Sequence, residues 1–134
     1  MKTLIVDDSE DAAHILQIIL SPFGQTEIAN DGAAGLVAWE AAIEAHEPYD
    51  LVCLDIMMPG MDGLETLERL RQEEEELGLG GILGTKVVMV TAREDEKTIN
   101  RALALGCEGY IFKTQGRKRI LAKLTELGLI DWHE

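Results

Sequence analysis

The sequence predicts an α/β fold: a doubly wound sheet of five parallel strands in the flavodoxin-like order 2-1-3-4-5, with five helices on both faces. Three apolar runs of strand length, at 2–6, 50–56 and 86–90, show no alternation of polar and apolar residues. Strands that are buried on both faces of a parallel sheet have this pattern. Weaker candidates at 26–29 and 109–112 complete the five.

The segments between these runs have helical periodicity, which implies right-handed crossovers between parallel strands. Asp31-Gly32 begins an Ala-rich segment that continues to Ala45, and Asp62 with Glu65 forms a predicted helix start. The predicted apolar helix faces are Ala12/Ile15/Leu16/Ile19/Leu20, Leu64/Leu67/Leu70, Ile99/Ala102/Leu103 before Gly106, and Ile120/Leu121/Leu124/Leu127.

Length and composition indicate a single domain over 1–134, with no output domain. The net charge of −13 argues against nucleic acid as a direct ligand, because phosphate backbones are bound by Lys and Arg. No apolar run is long enough to span a bilayer or resembles a signal peptide, so we expect no membrane association and a cytoplasmic protein. Cys53 and Cys107 have no metal or redox spacing and are expected to be reduced thiols.

Two charged segments have less specific interpretations. The run Glu73–Glu76 is expected to be a solvated helix end, followed over 77–85 by a glycine-rich connection, and a docking surface is the alternative. The basic residues at 117–119 open the last predicted helix and are a candidate docking patch.

Residues capable of polar chemistry end four of the five predicted strands. They are Asp7 and Asp8 after the first strand, Asp55 in the third, Thr91 after the fourth and Lys113 after the fifth. Ligands of such sheets bind beyond the carboxyl ends of the strands, so we expect these side chains to converge there.

Three carboxylates held close together repel one another unless a cation or a proton is present. Oxygen ligands without a His or Cys cluster favour Mg²⁺, which takes one or two carboxylates together with phosphate. A carboxylate can then accept a phosphoryl group as an acyl phosphate if positive charge stabilises the phosphoryl oxygens. Asp55 is the best nucleophile candidate because of its central strand and the turn-rich loop after it.

The chain resembles the receiver domain of two-component response regulators over nearly its whole length. The resemblance rests on Asp7-Asp8, the segment from Asp55 to Gly63, Thr91-Ala92, and Tyr110 three residues before Lys113. It implies that Asp55 is the phosphoacceptor and that Mg²⁺ is held by Asp7, Asp8, Asp55 and the Met57 carbonyl. It also implies that Lys113, Thr91 and the Ala92 amide contact the phosphoryl group, that Thr91 and Tyr110 form a switch, and that a sensor histidine kinase and a downstream protein target are the partners. A homodimer that forms on phosphorylation is a further expectation.

Two features of the sequence bear on how this chain differs within the family. Thr114 follows Lys113 where the family usually has a proline after a cis bond, so we expect either a trans bond or a strained loop. Met57 and Arg93 lie two residues beyond Asp55 and Thr91, and neither side chain can act as a base toward water. Slow loss of the phosphoryl group is therefore predicted.

The leading hypothesis is a phosphorylation-controlled signalling switch rather than a conventional enzyme, and the alternative is a receiver-like adaptor that needs no phosphorylation. A flavin carrier would require a phosphate-binding loop where Asp7-Asp8 stand. A phosphohydrolase would require an acid or base near Met57.

Overall fold

The computed structural model describes residues 1–80 and 84–134, which form one sheet of five parallel strands in the order β2-β1-β3-β4-β5. The strands are β1 Lys2–Val6, β2 Gln25–Ala29, β3 Leu51–Leu54, β4 Lys86–Thr91 and β5 Gly109–Phe112. The predicted fold class and strand order are confirmed. The third strand is shorter than predicted and stops before Asp55, while β4 extends to include Thr91.

The described part of the chain contains five α-helices, which are α1 Glu10–Leu20, α2 Gly32–Glu44, α3 Gly63–Glu76, α4 Glu96–Ala104 and α5 Gly116–Glu126. Four begin at a side-chain cap, in which an oxygen of Ser9, Asp31, Asp62 or Asp95 accepts a backbone N–H of the first turn. The predicted starts at Asp31 and Asp62 are therefore confirmed.

Apolar clusters cover both faces of the sheet, as a doubly wound fold requires. One contains Trp39, Leu67 and Met89, and the other contains Ile5, Leu16 and Leu124. No helix within 1–80 and 84–134 is long and apolar enough to cross a bilayer.

The expectation that the Glu run is a solvated helix end is wrong for Glu74, which is 2% exposed. Its Oε1 accepts a hydrogen bond from Arg71 Nη1 at 2.6 Å, and its Oε2 accepts one from the Thr85 amide at 2.7 Å. Arg71 also donates to both carboxylate oxygens of Glu108, which precedes β5. Glu74 is therefore part of a buried polar network at the amino ends of β4 and β5.

The predicted connection over 77–85 includes residues 81–83, which lie outside the described residues. At its end, Thr85 Oγ1 accepts a hydrogen bond from Trp39 Nε1 at 3.1 Å and donates one to the Tyr49 carbonyl at 3.1 Å. Trp39 is 1% exposed, so its role is packing within this network.

Candidate functional site

Three carboxylates meet at the carboxyl ends of β1 and β3. Asp7 and Asp8 directly follow β1, and Asp55 directly follows β3. One oxygen from each lies within 4.8 Å of the other two. Asp7 and Asp55 are buried, whereas Asp8 is exposed, so the cluster opens to solvent on one side.

Parallel pairing places Asp7 and Asp55 at this edge. The Asp7 amide donates to the Ala29 carbonyl at 3.1 Å, and the Asp55 amide donates to the Val6 carbonyl at 3.0 Å. Both bonds extend a ladder one residue beyond the strands, so the backbone that carries the two carboxylates is fixed by the sheet.

Lys113, directly after β5, supplies positive charge to the cluster. Its Nζ lies 3.1 Å from Asp55 Oδ2 and 2.9 Å from Asp7 Oδ2. The contact with Asp55 has hydrogen-bond geometry, whereas Asp7 Oδ2 is buried and has no hydrogen-bond partner among the described residues. One ammonium group therefore forms ion pairs with two buried carboxylates but donates a hydrogen bond to only one of them.

The pKa values of Asp7 and Lys113 reflect the close approach of the charged side chains. Burial raises the pKa of Asp7, and the negative charge of Asp55 adds to the shift although Lys113 and the Ser9 amide oppose it. Burial alone would lower the pKa of Lys113, but its contacts with Asp7 and Asp55 outweigh burial and raise it. Lys113 is thus held in its charged form.

The donor set fits a hard divalent cation. All three side chains offer carboxylate oxygens, and Asp8 lies at the solvent side. Within residues 1–80 and 84–134, the buried Asp7 Oδ2 lacks a hydrogen-bond partner. Mg²⁺ prefers such oxygens and retains waters at its open positions. The predicted Mg²⁺ ligands Asp7, Asp8 and Asp55 are thus brought together, with Met57 two residues beyond Asp55.

The backbone after Asp55 wraps tightly around its carboxylate. Asp55 Oδ1 accepts the Ile56 amide at 2.8 Å and lies 3.4 Å from the Met57 amide. Gly63, at the start of α3, donates to the Ile56 carbonyl at 3.0 Å. A Cβ at Gly63 would lie 2.1 Å from the Asp55 carbonyl oxygen, so only glycine allows α3 to begin this close. The sequence contained this glycine, but not the reason for it.

Thr91 and Tyr110, the predicted switch pair, are linked through the backbone of Arg93. Thr91 is buried, and its Oγ1 accepts the Arg93 amide at 3.3 Å. The Tyr110 hydroxyl donates to the Arg93 carbonyl at 2.7 Å. Burial raises the pKa of Tyr110 to about 12, so the hydroxyl keeps its proton. Ala92, between Thr91 and Arg93, is exposed.

Met57 and Arg93 line the same surface cavity of about 430 Å³ together with Asp8 and Asp62. The Met57 side chain is 54% exposed. The Arg93 guanidinium bonds to Asp95 and Thr98 at the start of α4, which sequence reasoning missed. The helix-capping pattern of an Asp before a helix was the signal available.

Thr114 lies in a short 3₁₀ turn over Lys113–Gln115, and no cis peptide bond occurs in the described residues. Gln115 Oε1 accepts the Phe112 amide at 2.9 Å. Of the two expectations for this position, the structure thus has the trans bond. Lys113 still reaches both buried carboxylates.

The chain belongs to the family of response regulator receiver domains, whose model matches residues 3–125. It is 35% identical over 122 residues to the uncharacterized transcriptional regulatory protein YkoG of Bacillus subtilis, a match covering 90% of this chain and 48% of YkoG. The chain therefore spans about half the length of the curated relatives it matches.

Solved structures agree. A CheY-like receiver domain protein from Methanospirillum hungatei matches with TM-score 0.76 and 29% identity, covering 94% of this chain and 91% of that one. The CheX–CheY–BeF3–Mg²⁺ complex from Borrelia burgdorferi matches with TM-score 0.81 and 25% identity, covering 96% of this chain and 89% of that chain. This family of domains acts in two-component signalling and is not a family of conventional enzymes.

Proposed function

We propose that this domain is a switch that accepts a phosphoryl group on Asp55 in a Mg²⁺-dependent reaction and then changes its partner-binding surface. The observation that carries the proposal is the surplus of buried carboxylate charge around Lys113, at the sheet edge where ligands of this fold bind. The solved complex from Borrelia burgdorferi, which is a complex with BeF3 and Mg²⁺, supports the proposal.

In the proposed reaction, a carboxylate oxygen of Asp55 attacks the phosphorus of a donor. The bond from phosphorus to the donor's leaving group breaks, and an acyl phosphate forms on Asp55. The donor would be a phosphohistidine of a sensor histidine kinase. Bound Mg²⁺, held by Asp7, Asp8, Asp55 and the Met57 carbonyl, would neutralise charge that develops on the phosphoryl oxygens.

The chain's own residues supply the remaining contacts. The Lys113 ammonium, already 3.1 Å from Asp55, would pair with a phosphoryl oxygen. The Thr91 hydroxyl and the Ala92 amide would donate hydrogen bonds to two others. Because Thr91 and Tyr110 both bond to the Arg93 backbone, movement of Thr91 toward the phosphoryl group would be transmitted to Tyr110.

The changed surface would act by binding a downstream protein or a second phosphorylated copy of this domain. The net charge of −13 supports a protein target over direct nucleic acid contact. We further propose that the phosphoryl group is lost slowly, because Met57 and Arg93 offer no base to orient water.

The test is incubation with acetyl phosphate and Mg²⁺, followed by intact-mass measurement. Wild type should gain the mass of one phosphoryl group, and Asp55→Asn or omission of Mg²⁺ should abolish the gain. Wild type that remains unlabelled with both acetyl phosphate and phosphoramidate would refute the switch and favour the phosphorylation-independent adaptor.

A further inference from the structure

Arg93 is held against the start of α4 by its side chain. Its Nε donates to Asp95 Oδ1 at 2.9 Å, and its Nη2 donates to Thr98 Oγ1 at 3.0 Å. Asp95 Oδ2 in turn accepts from the Thr98 hydroxyl at 2.6 Å and from the Thr98 amide at 3.1 Å. The guanidinium is therefore bonded to a pair of residues that are themselves fixed by the helix cap.

The same arginine borders the proposed phosphoryl site. It lines the cavity that contains Asp8 and Met57, and its amide bonds to Thr91, a proposed phosphoryl contact. A guanidinium has five N–H donors and binds phosphate oxygens in a forked geometry. Asp95 and a phosphoryl group on Asp55 are thus two anions that could each pair with the Arg93 guanidinium.

We propose that Asp95 is a positioning residue that competes with the phosphoryl group on Asp55 for the Arg93 guanidinium and so sets how long the phosphoryl group persists. This proposal rests on the proposed function. While Arg93 is bonded to Asp95, it leaves the approach of water to phosphorus uncovered. When released, it pairs with a phosphoryl oxygen and obstructs that approach.

The strength of the pair suits such a competition. Both side chains are 45% exposed, and an ion pair that is this exposed is weak enough to be exchanged for a more strongly charged partner. A phosphoryl group carries nearly two negative charges, whereas Asp95 carries one. The Arg93 and Thr98 hydrogen bonds hold the pKa of the Asp95 carboxyl well below its usual range, so Asp95 stays charged and competes at any working pH.

The chain offers a substitution that removes the charge and leaves the helix start intact. Asparagine caps helices as well as aspartate does, so Asp95→Asn should keep the bond to the Thr98 amide. We expect α4 to form normally and thermal unfolding to change little.

The experiment measures the first-order decay of phosphorylated protein after acetyl phosphate is removed, at low ionic strength with Mg²⁺ present. Asp95→Asn should slow decay by about two- to fivefold, the factor equivalent to an exposed ion pair. The effect should shrink in high salt because the released arginine is then screened. In an Arg93→Gln background, the same substitution should have no effect.

The matched control is Glu96→Gln, which removes one negative charge at the next residue, also exposed and in the first turn of α4. Decay in this variant should match wild type. The proposal is overturned if Asp95→Asn leaves decay unchanged, if it has the same effect with and without Arg93, or if Glu96→Gln reproduces it. Failure of wild type to become labelled would instead refute the proposed function.

Discussion

Buried carboxylates lie at both ends of the parallel strands. The end with Glu74 and Glu108 is called the amino edge, and the end with Asp7 and Asp55 the carboxyl edge. The two edges differ in how the carboxylate oxygens are hydrogen-bonded. At the amino edge, each oxygen of Glu74 accepts a hydrogen bond, and Arg71 pairs with both Glu74 and Glu108. At the carboxyl edge, Asp7 and Asp55 share Lys113, Asp8 lies beside them, and Asp7 Oδ2 has no hydrogen-bond partner among the described residues. A satisfied network stabilises the fold, whereas unsatisfied negative charge favours binding of a cation.

We expect substitutions at the two edges to have opposite effects on stability, with the larger effect at the amino edge. Arg71→Met should lower the free energy of unfolding by about 3–5 kcal/mol, because it leaves Glu74 charged and buried without its partner. Urea denaturation measures the change. Arg69→Met is the control, since Arg69 is 55% exposed and 3.6 Å from Glu65. If the two variants lose equal stability, the amino-edge network is not structural.

At the carboxyl edge, removing a charged group should stabilise the metal-free protein. Asp8→Asn relieves repulsion from Asp7 and Asp55, so we expect a gain of up to about 1 kcal/mol without Mg²⁺. The same variant should lose Mg²⁺-dependent labelling, because a ligand is removed. Asp11→Asn, an exposed carboxylate on α1, should change neither property. A less stable Asp8→Asn protein in metal-free buffer would contradict the repulsion.

The lifetime of the phosphoryl group tests whether Met57 and Arg93, which line the cavity beside the carboxyl edge, control the access of water. Met57→Asn combined with Arg93→Glu places an amide and an acid where water would approach, so phosphorylated protein should decay several-fold faster than wild type. Decay is followed by intact mass after the donor is removed. If the double variant decays no faster, these positions do not control water.

The smallest expected effect concerns the two buried thiols, whose reactivity reports how often the core between the two edges opens. Burial raises the pKa of Cys53 to about 12 and that of Cys107 to about 11. Because folding raises these two pKa values, the contribution of the thiols to stability is fully present below the unfolded pKa of 9.0. It is lost as the pH rises toward 11–12. Iodoacetamide should therefore label native protein very slowly at pH 8 and unfolded protein rapidly. Rapid native labelling would show that the core opens readily.

The sequence predicted the carboxyl edge well for a physical reason. Buried parallel strands appear in the sequence as apolar runs. Because the strands are parallel, the polar residues that follow these runs all lie at the carboxyl edge. Asp7, Asp55 and Thr91 were found in this way, although the exact end of β3 depends on ladder hydrogen bonds that periodicity does not reveal.

The amino edge could not be predicted in the same way. Nothing within the Glu run distinguishes Glu74 from its neighbours, because its burial depends on the Thr85 amide, eleven residues later along the chain. The Arg93 contacts were missed for a similar reason. Arginine is usually solvated, and only the fold of the loop before α4 brings it to Asp95.

Chemical trapping of the acyl phosphate tests most directly whether Asp55 is the phosphoacceptor. Protein treated with acetyl phosphate and Mg²⁺ is reduced with borohydride, which converts a phosphorylated aspartate to homoserine, and peptide mass spectrometry then locates the product. We predict homoserine at position 55 and none at positions 7 or 8. Reduction at Asp7 or Asp8, or phosphorylated protein with no product at Asp55, would contradict it.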